Sequence, residues 1–303
     1  MTASAEPVPN VLRVGLLTMC ASRDVDENVA NATTLVREAA AQGATYIQTP
    51  EFTTLMEMQS AKLFAATRPE ANNPALAHFQ SLARELKIWL HIGSMGVLVK
   101  DIKGGEVKAG DGQSGPDKIA NRSFLISPEG TVVARYDKIH MFDAALGAGQ
   151  NFRESKNFAP GAEAVVVELP HAILGLTVCY DLRFPGLYRA LAKAGAQILA
   201  VPAAFERQTG MVHWHPLLKA RAIESGAYIL ASTQGGKHAC GRETYGHSII
   251  ISPWGEVIAE GGVEASVTVA DIELGQVAEV RGRIPSLEHD RPFAIVRANA
   301  KTV

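Results

Sequence analysis

The apolar positions of this chain fall into short runs separated by amphipathic segments. VLRVGLLTM (11–19) reads as a buried strand, and ATYIQT (44–49) as a second that stops at Pro50-Glu51. Between them, Val29, Leu35, Val36 and Ala39 share one side of a helix that Asp24 or Asp26 can cap and Gly43 can end. A second helix is predicted over 74–87, where Leu76, Phe79, Leu82, Ala83 and Leu86 recur at three- and four-residue spacing. IWLHIGSMGVLV (88–99) is strand-like, and the glycine-rich polar stretch 101–119 predicts an exposed loop. SFLIS and TVVARYD predict a hairpin about Pro128-Glu129-Gly130, followed by a long irregular stretch, 139–162. Strands follow at VVVEL, ILGLTV, QILAV, YILAST, HSIIIS and VTVADI, with helices near 185–194 and 213–225. Strands alternating with helices predict an α/β protein, and the hairpins make its sheets mixed.

The pattern also repeats. GATYIQTP (43–50) matches GAQILAVP (195–202), and ISPEGTVVA (126–134) matches ISPWGEVIA (251–259); GAYILAST at 226 begins in the same way. The matched pairs have no common period, which excludes a solenoid. Two similar βαβ-plus-hairpin halves predict two sheets packed together with helices outside: a four-layer α-β-β-α sandwich.

Composition narrows the function. Of 303 residues 47% are apolar, enough for a sizeable core, and 29 Lys plus Arg nearly balance 31 Asp plus Glu, which argues against a nucleic-acid partner. No apolar run reaches the roughly 18 residues of a membrane span, and MTASAEPVPN lacks the basic flank and apolar core of a signal peptide. Three cysteines, Cys20, Cys179 and Cys240, make neither a disulfide framework nor a zinc pattern, so a cytoplasmic setting is expected. His213-Trp214-His215 has no matching ligand pattern nearby along the chain, and no metal is expected there.

The first repeat points to chemistry. One copy follows its proline with Glu51, the other with Ala203, so the scaffold itself does not require that carboxylate. Glu51, Lys138 and Cys179 all fall at predicted strand ends, where α/β proteins place reactive groups. A cysteine at neutral pH is mostly a thiol and needs a base or a cation to act as a nucleophile. Glu51 could be that base, and Lys138 with the backbone N–H of Tyr180 could hold an oxyanion. A protease-like Cys–His pair, with His140 or His247 as base, is an alternative, but no protease signature surrounds Cys179.

TPEF (49–52), RYDKIHMFD (135–143) and LTVCYDLRFPGLYR (176–189) resemble, in order, the motifs of the nitrilase superfamily of carbon–nitrogen hydrolases. The resemblance runs from about residue 11 to 292. It implies an α-β-β-α sandwich that pairs into dimers and needs no cofactor. It also implies Glu51 as general base, Lys138 as the group that polarises the intermediate, Cys179 as nucleophile and Glu154, in NFRESKNFAPG, as a supporting glutamate. The chain divides accordingly into a tail (1–10), a hydrolase domain (11–283) and a C-terminal tail (284–303) that would pack at an oligomer interface. Residues 213–259 and RIPSLEHDRP resemble the Nit-type amidases within the superfamily. That branch implies release of ammonia from a small ω-amide such as deaminated glutathione, or from an α-keto acid amide. Another amidase, a nitrilase or a silent binding module of the same fold are the alternatives. The long 101–119 loop and FTTLMEM after Glu51 depart from the pattern and leave the substrate open. A substrate carboxylate would need a cation, for which Arg183, Arg207, Arg242, Lys237 and His238 are available.

Overall fold

Along β1 (Val11–Thr18), Leu12, Val14 and Leu16 face one side while Leu17, and Met19 just beyond, face the other, so one strand feeds two cores. The computed structural model describes residues 11–100, 117–147 and 151–298. After β1 come α1 (Val25–Ala41), β2 (Tyr46–Gln48), α2 (Ser60–Ala66), α3 (Pro74–Leu86), β3 (Trp89–Lys100) and the hairpin β4 (Asp117–Ile126) and β5 (Val132–Asp137). A connecting stretch carries β6 (Asp143–Ala145), β7 (Asn151–Arg153) and β8 (Phe158–Ala159). The second half runs through β9 (Val165–Glu168), β10 (Ile173–Leu176), α4 (Pro185–Lys193), β11 (Ile198–Ala200), α5 (Arg207–Ser225) and β12 (Tyr228–Ala231). It ends with β13 (Gly235–Lys237), β14 (Glu243–Tyr245), β15 (Ile249–Ile251), β16 (Val257–Glu260), β17 (Ser266–Glu273) and α6 (Gly275–Arg283).

The two sheets have one design. The first runs β17-β1-β2-β3-β4-β5 and the second β9-β10-β11-β12-β15-β16. In each, three parallel strands are flanked by one antiparallel strand on one side and a hairpin on the other. The sequence repeats mark this symmetry: one pair leads into β2 and β11, the other forms the β4–β5 and β15–β16 turns. The inner faces meet through residues such as Val14, Leu16, Leu174 and Leu176. Val36 and Ala39 of α1 and Phe79 and Leu82 of α3 cover the outer face of the first sheet. Leu191 of α4 and Trp214 and Leu218 of α5 pack on the second. This is the expected four-layer α-β-β-α sandwich.

Asp24 caps α1 by accepting from the N–H groups of Asp26 and Glu27. The expected 101–119 loop lies mostly outside the described residues, and 117–119 already belong to β4. The stretch 139–162 carries β6 paired with β7, plus β8 on β4; elements of two or three residues are too short to show alternation. The 213–225 helix starts at Arg207, because Gly210 and the exposed Met211 and Val212 hide its first turns from periodicity. Helices α2 and α6 also escaped the pattern. Among the described residues no helix is long and apolar enough to cross a membrane.

Candidate functional site

The ends of β2 and β10, one from each sheet, converge. Past β2 the chain turns through Thr49-Pro50 into Glu51, seated against a bulge in β3. There Gly93 N–H donates to Thr49 Oγ1 (3.0 Å), Phe52 N–H to Ser94 Oγ (3.0 Å) and Thr53 N–H to Ser94 O (2.9 Å). Past β10, Cys179 opens a 3-10 turn, and its N–H donates to Pro202 O at 2.9 Å. Phe52 (φ +55°) and Cys179 (φ +49°) both adopt left-handed backbone, a strain that surrounding contacts must hold. Buried Asp181 supplies part of that hold. Its Oδ2 accepts from Val178 N–H (2.9 Å) and Tyr136 Oη (2.6 Å), and its Oδ1 bonds His140 N–H (3.1 Å) and the His140 ring (2.7 Å). Asp137 is held bidentately by Arg122 at 2.6 and 2.8 Å. Asp137 and His140, which flank Lys138, are thus structural hydrogen-bonders.

Lys138 follows β5 and is buried between two carboxylates. Its Nζ donates to Glu51 Oε1 (3.0 Å) and to Glu154 Oε1 and Oε2 (3.0 and 2.8 Å). Glu51 Oε1 also accepts from Asn121 Nδ2 (2.9 Å), and Oε2 accepts from the N–H of Ala204 (2.8 Å). Glu154 Oε2 accepts from Phe142 N–H at 2.6 Å. Burial alone would raise the Glu51 carboxyl, but the charges of Lys138 and Arg242 outweigh it and hold Glu51 below its usual range. Burial would likewise lower Lys138, yet Glu154 and Glu51 raise it. Burial and the neighbouring Glu51 charge push the Cys179 thiol well up, against the pull of Lys138. At neutral pH the trio is therefore carboxylate, ammonium and thiol.

These groups open into one cavity of about 240 Å³, just below the usual size for drug-sized ligands. Tyr180 and Arg183 line it, and Arg183 bonds the His213 ring at 3.2 Å and lies over Phe205. Of the other cations considered, only Arg242 reaches the cavity. Arg207 pairs with Glu243 at 3.6 Å outside it, and the His238 ring is taken up by Ala21 O and Thr244 Oγ1. Asn121, Ala204 and Glu206 were not foreseen. Asn121 left a faint signal, a buried amide among apolar β4 neighbours that must find partners. His215 gains neighbours that its local sequence does not show: Glu260 Oε1 bonds both its ring (2.8 Å) and that of His247 (2.9 Å). This trio could in principle hold a cation, but it is satisfied as a hydrogen-bonded network and lies outside the cavity. All three cysteines are free.

The sequence profile of the carbon-nitrogen hydrolase family matches residues 13–282. A deaminated glutathione amidase of Yersinia enterocolitica is 35% identical over 279 residues, 92% of each chain. The human omega-amidase NIT2 is 32% identical over 92% of this chain and 95% of its own. The crystal structure of the C. elegans NitFhit protein superposes with a TM-score of 0.80 at 30% identity, covering 93% of this chain and 65% of that one.

Proposed function

This chain belongs to the carbon-nitrogen hydrolase family, and from that premise we propose that it is an amidase working by covalent catalysis through Cys179, Glu51 and Lys138. The observation that carries this reading is Lys138 buried between Glu51 and Glu154 in the cavity that Cys179 also lines. The high thiol and the ionised Glu51 favour a thiol activated at the moment of attack over a standing thiolate. Glu51 takes the thiol proton as sulfur bonds the amide carbon. Lys138 and the Tyr180 N–H receive the oxyanion. Glu51 returns the proton to the departing nitrogen, the C–N bond breaks and a thioester remains. Water, deprotonated by Glu51, then attacks the thioester; the acid leaves and the thiol recovers its proton. Glu154 fixes the ammonium of Lys138, and no cofactor enters.

For the substrate we infer a small ω-amide of the kind named for the relatives, with deaminated glutathione first and an α-keto acid amide second. A primary amide releases ammonia, whereas an amide whose nitrogen bears an amino acid releases an amine. Arg183 is a cation for a substrate carboxylate. We further infer a cytoplasmic homodimer or higher homo-oligomer; the exposed Phe293, Ile295 and Val296 of the C-terminal segment support a contact there.

The test is turnover of a panel of small amides and nitriles, with mass spectrometry of the protein. A mass gain on Cys179, absent in Cys179→Ala together with a loss of ~10⁴ or more in kcat, is the expected result. Wild-type turnover by Cys179→Ala would refute the mechanism. A higher kcat/KM for a simple nitrile would instead move the chain to another branch.

A further inference from the structure

At the β16 edge of the second sheet, three side chains from separate elements converge on one point. His215 comes from the middle of α5, His247 from the turn between β14 and β15, and Glu260 from the end of β16. His215 Nε2 stands 2.8 Å and His247 Nδ1 2.9 Å from the same carboxylate oxygen, Glu260 Oε1. One ligand atom from each lies within 4.8 Å of the others, and all three side chains are part-exposed, so an ion can reach them. None of the three lines the catalytic cavity. Along the chain His215 lacks ligand neighbours; the fold supplies them from positions 247 and 260.

Hydrogen bonding alone does not require this geometry. Asp181 spreads its partners over both oxygens, whereas Glu260 takes both imidazoles on Oε1, and its Oε2 has no partner among the described residues. His247 also holds left-handed backbone, φ +62°, a strained state for a residue with a side chain. It is fixed there on both sides: its N–H donates to Gly262 O (2.9 Å) and its carbonyl accepts from Trp214 Nε1 (3.0 Å). Tyr245 stacks on the His247 ring with centroids 4.4 Å apart and meets the His215 ring edge-on at 6.1 Å. Both rings are thus oriented before any ligand arrives.

We propose that His215 Nε2, His247 Nδ1 and Glu260 Oε1 form a zinc site, with solvent completing the coordination. Two imidazole nitrogens and one carboxylate suit zinc, whereas magnesium and calcium take oxygen ligands. Zinc ligands at about 2.0–2.1 Å in a tetrahedral array stand about 3.3 Å apart, so the two contacts to Glu260 need open by only about half an ångström. In the hydrogen-bonded network each imidazole gives its facing N–H to Glu260. When zinc binds, that proton is carried instead on the outer nitrogen, His215 Nδ1 or His247 Nε2, and the freed lone pair takes the metal. Neither outer nitrogen has a hydrogen-bond partner among the described residues to oppose the change. The ion would join α5 to the sheet edge, so its effect is read in stability.

The test is zinc titration of the whole chain by calorimetry, with cobalt(II) absorption as the report on coordination. The variants are His215→Ala and Glu260→Gln; the second keeps an acceptor oxygen for the network should the first not fold. Wild type is expected to bind one equivalent of zinc, which raises its melting temperature. Each variant should bind that equivalent at least ~100-fold more weakly, the upper end of what losing a group behind a ligand costs, and lose the zinc-dependent rise. The first equivalent of cobalt should show d–d bands of a nitrogen–oxygen site and no thiolate charge-transfer band. No uptake, or equal uptake by wild type and variants, would overturn the site. So would a thiolate band on the first equivalent, which would place the metal on one of the free cysteines.

Discussion

Lys138 neutralises two buried carboxylates at rest, and in the proposed mechanism it also meets a third negative charge, the oxyanion. Lys138→Met should therefore lower kcat by about 10²–10³ or more and also destabilise the fold by about 3–5 kcal/mol, since two buried carboxylates lose their counter-charge. The sign of the pH dependence follows from the shifts. Glu51, held below its usual range, contributes stability above the unfolded carboxylate range and loses it as pH falls through the folded value. Lys138, held above its range, contributes below the ordinary lysine range and loses it only as pH rises through its folded value. The melting-temperature gap between wild type and Lys138→Met should thus be widest near neutrality and shrink below about pH 4. A gap independent of pH would contradict this assignment. Glu154 accepts from Lys138 and Phe142 N–H, whereas Glu51 is the carboxylate whose charge raises the Cys179 thiol. Glu51→Gln should consequently remove turnover, and Glu154→Gln should reduce it less. Equal, complete losses in two folded variants would mean that Glu154 shares the proton.

At the level of elements, the turn bearing Glu51 depends on the bulge in β3. A Cβ on Gly93 would lie 2.1 Å from Thr49 O, 2.7 Å from Pro50 O and 2.5 Å from Pro202 Cβ, where backbone cannot yield cheaply. Gly93→Ala is expected to cost more than about 3 kcal/mol and to depress activity in whatever fraction still folds. Gly186, in the first turn of α4, has open space around its Cβ direction. Gly186→Ala should be neutral or stabilising by up to ~1 kcal/mol, since a helical glycine carries excess unfolded-state entropy. Paired melting curves check both. Comparable shifts would show that β3 tolerates what its geometry forbids. The repeats were legible here because the lead-ins to β2 and β11 need the same turn chemistry. Gly93 was not legible, because its constraint comes from Thr49 and Pro202, distant in the chain.

Across the whole molecule the site belongs to neither half alone. Glu51 comes from the first sheet, yet Ala204 and Gln234 of the second half bond its carboxylate and its carbonyl at 2.8 and 3.0 Å. Gln48 Nε2 donates to Leu230 O (3.1 Å) and Ser232 Oγ to Gln48 O (2.8 Å) between the sheets. The chain's late strand β17 closes the first sheet by pairing with β1. The two halves should therefore unfold together. In urea, loss of activity and the fluorescence change of Trp89 in the first half and Trp214 in the second should coincide. Activity lost well before either tryptophan responds would mean that the halves separate while each stays folded.

The sequence by itself determined the elements with a clear period, the doubled architecture, and the three strand-end residues Glu51, Lys138 and Cys179. Those are local properties: a two- or 3.6-residue alternation, a glycine before a strand, a polar residue after an apolar run. Only the tertiary structure decided what surrounds the three residues. Asn121 and Ala204 reach Glu51 across 70 and 153 positions, and Arg242 stands beside Glu206 across 36. No periodicity encodes such contacts. They arise when two twisted sheets pack face to face, which fixes distances between residues that local sequence leaves independent.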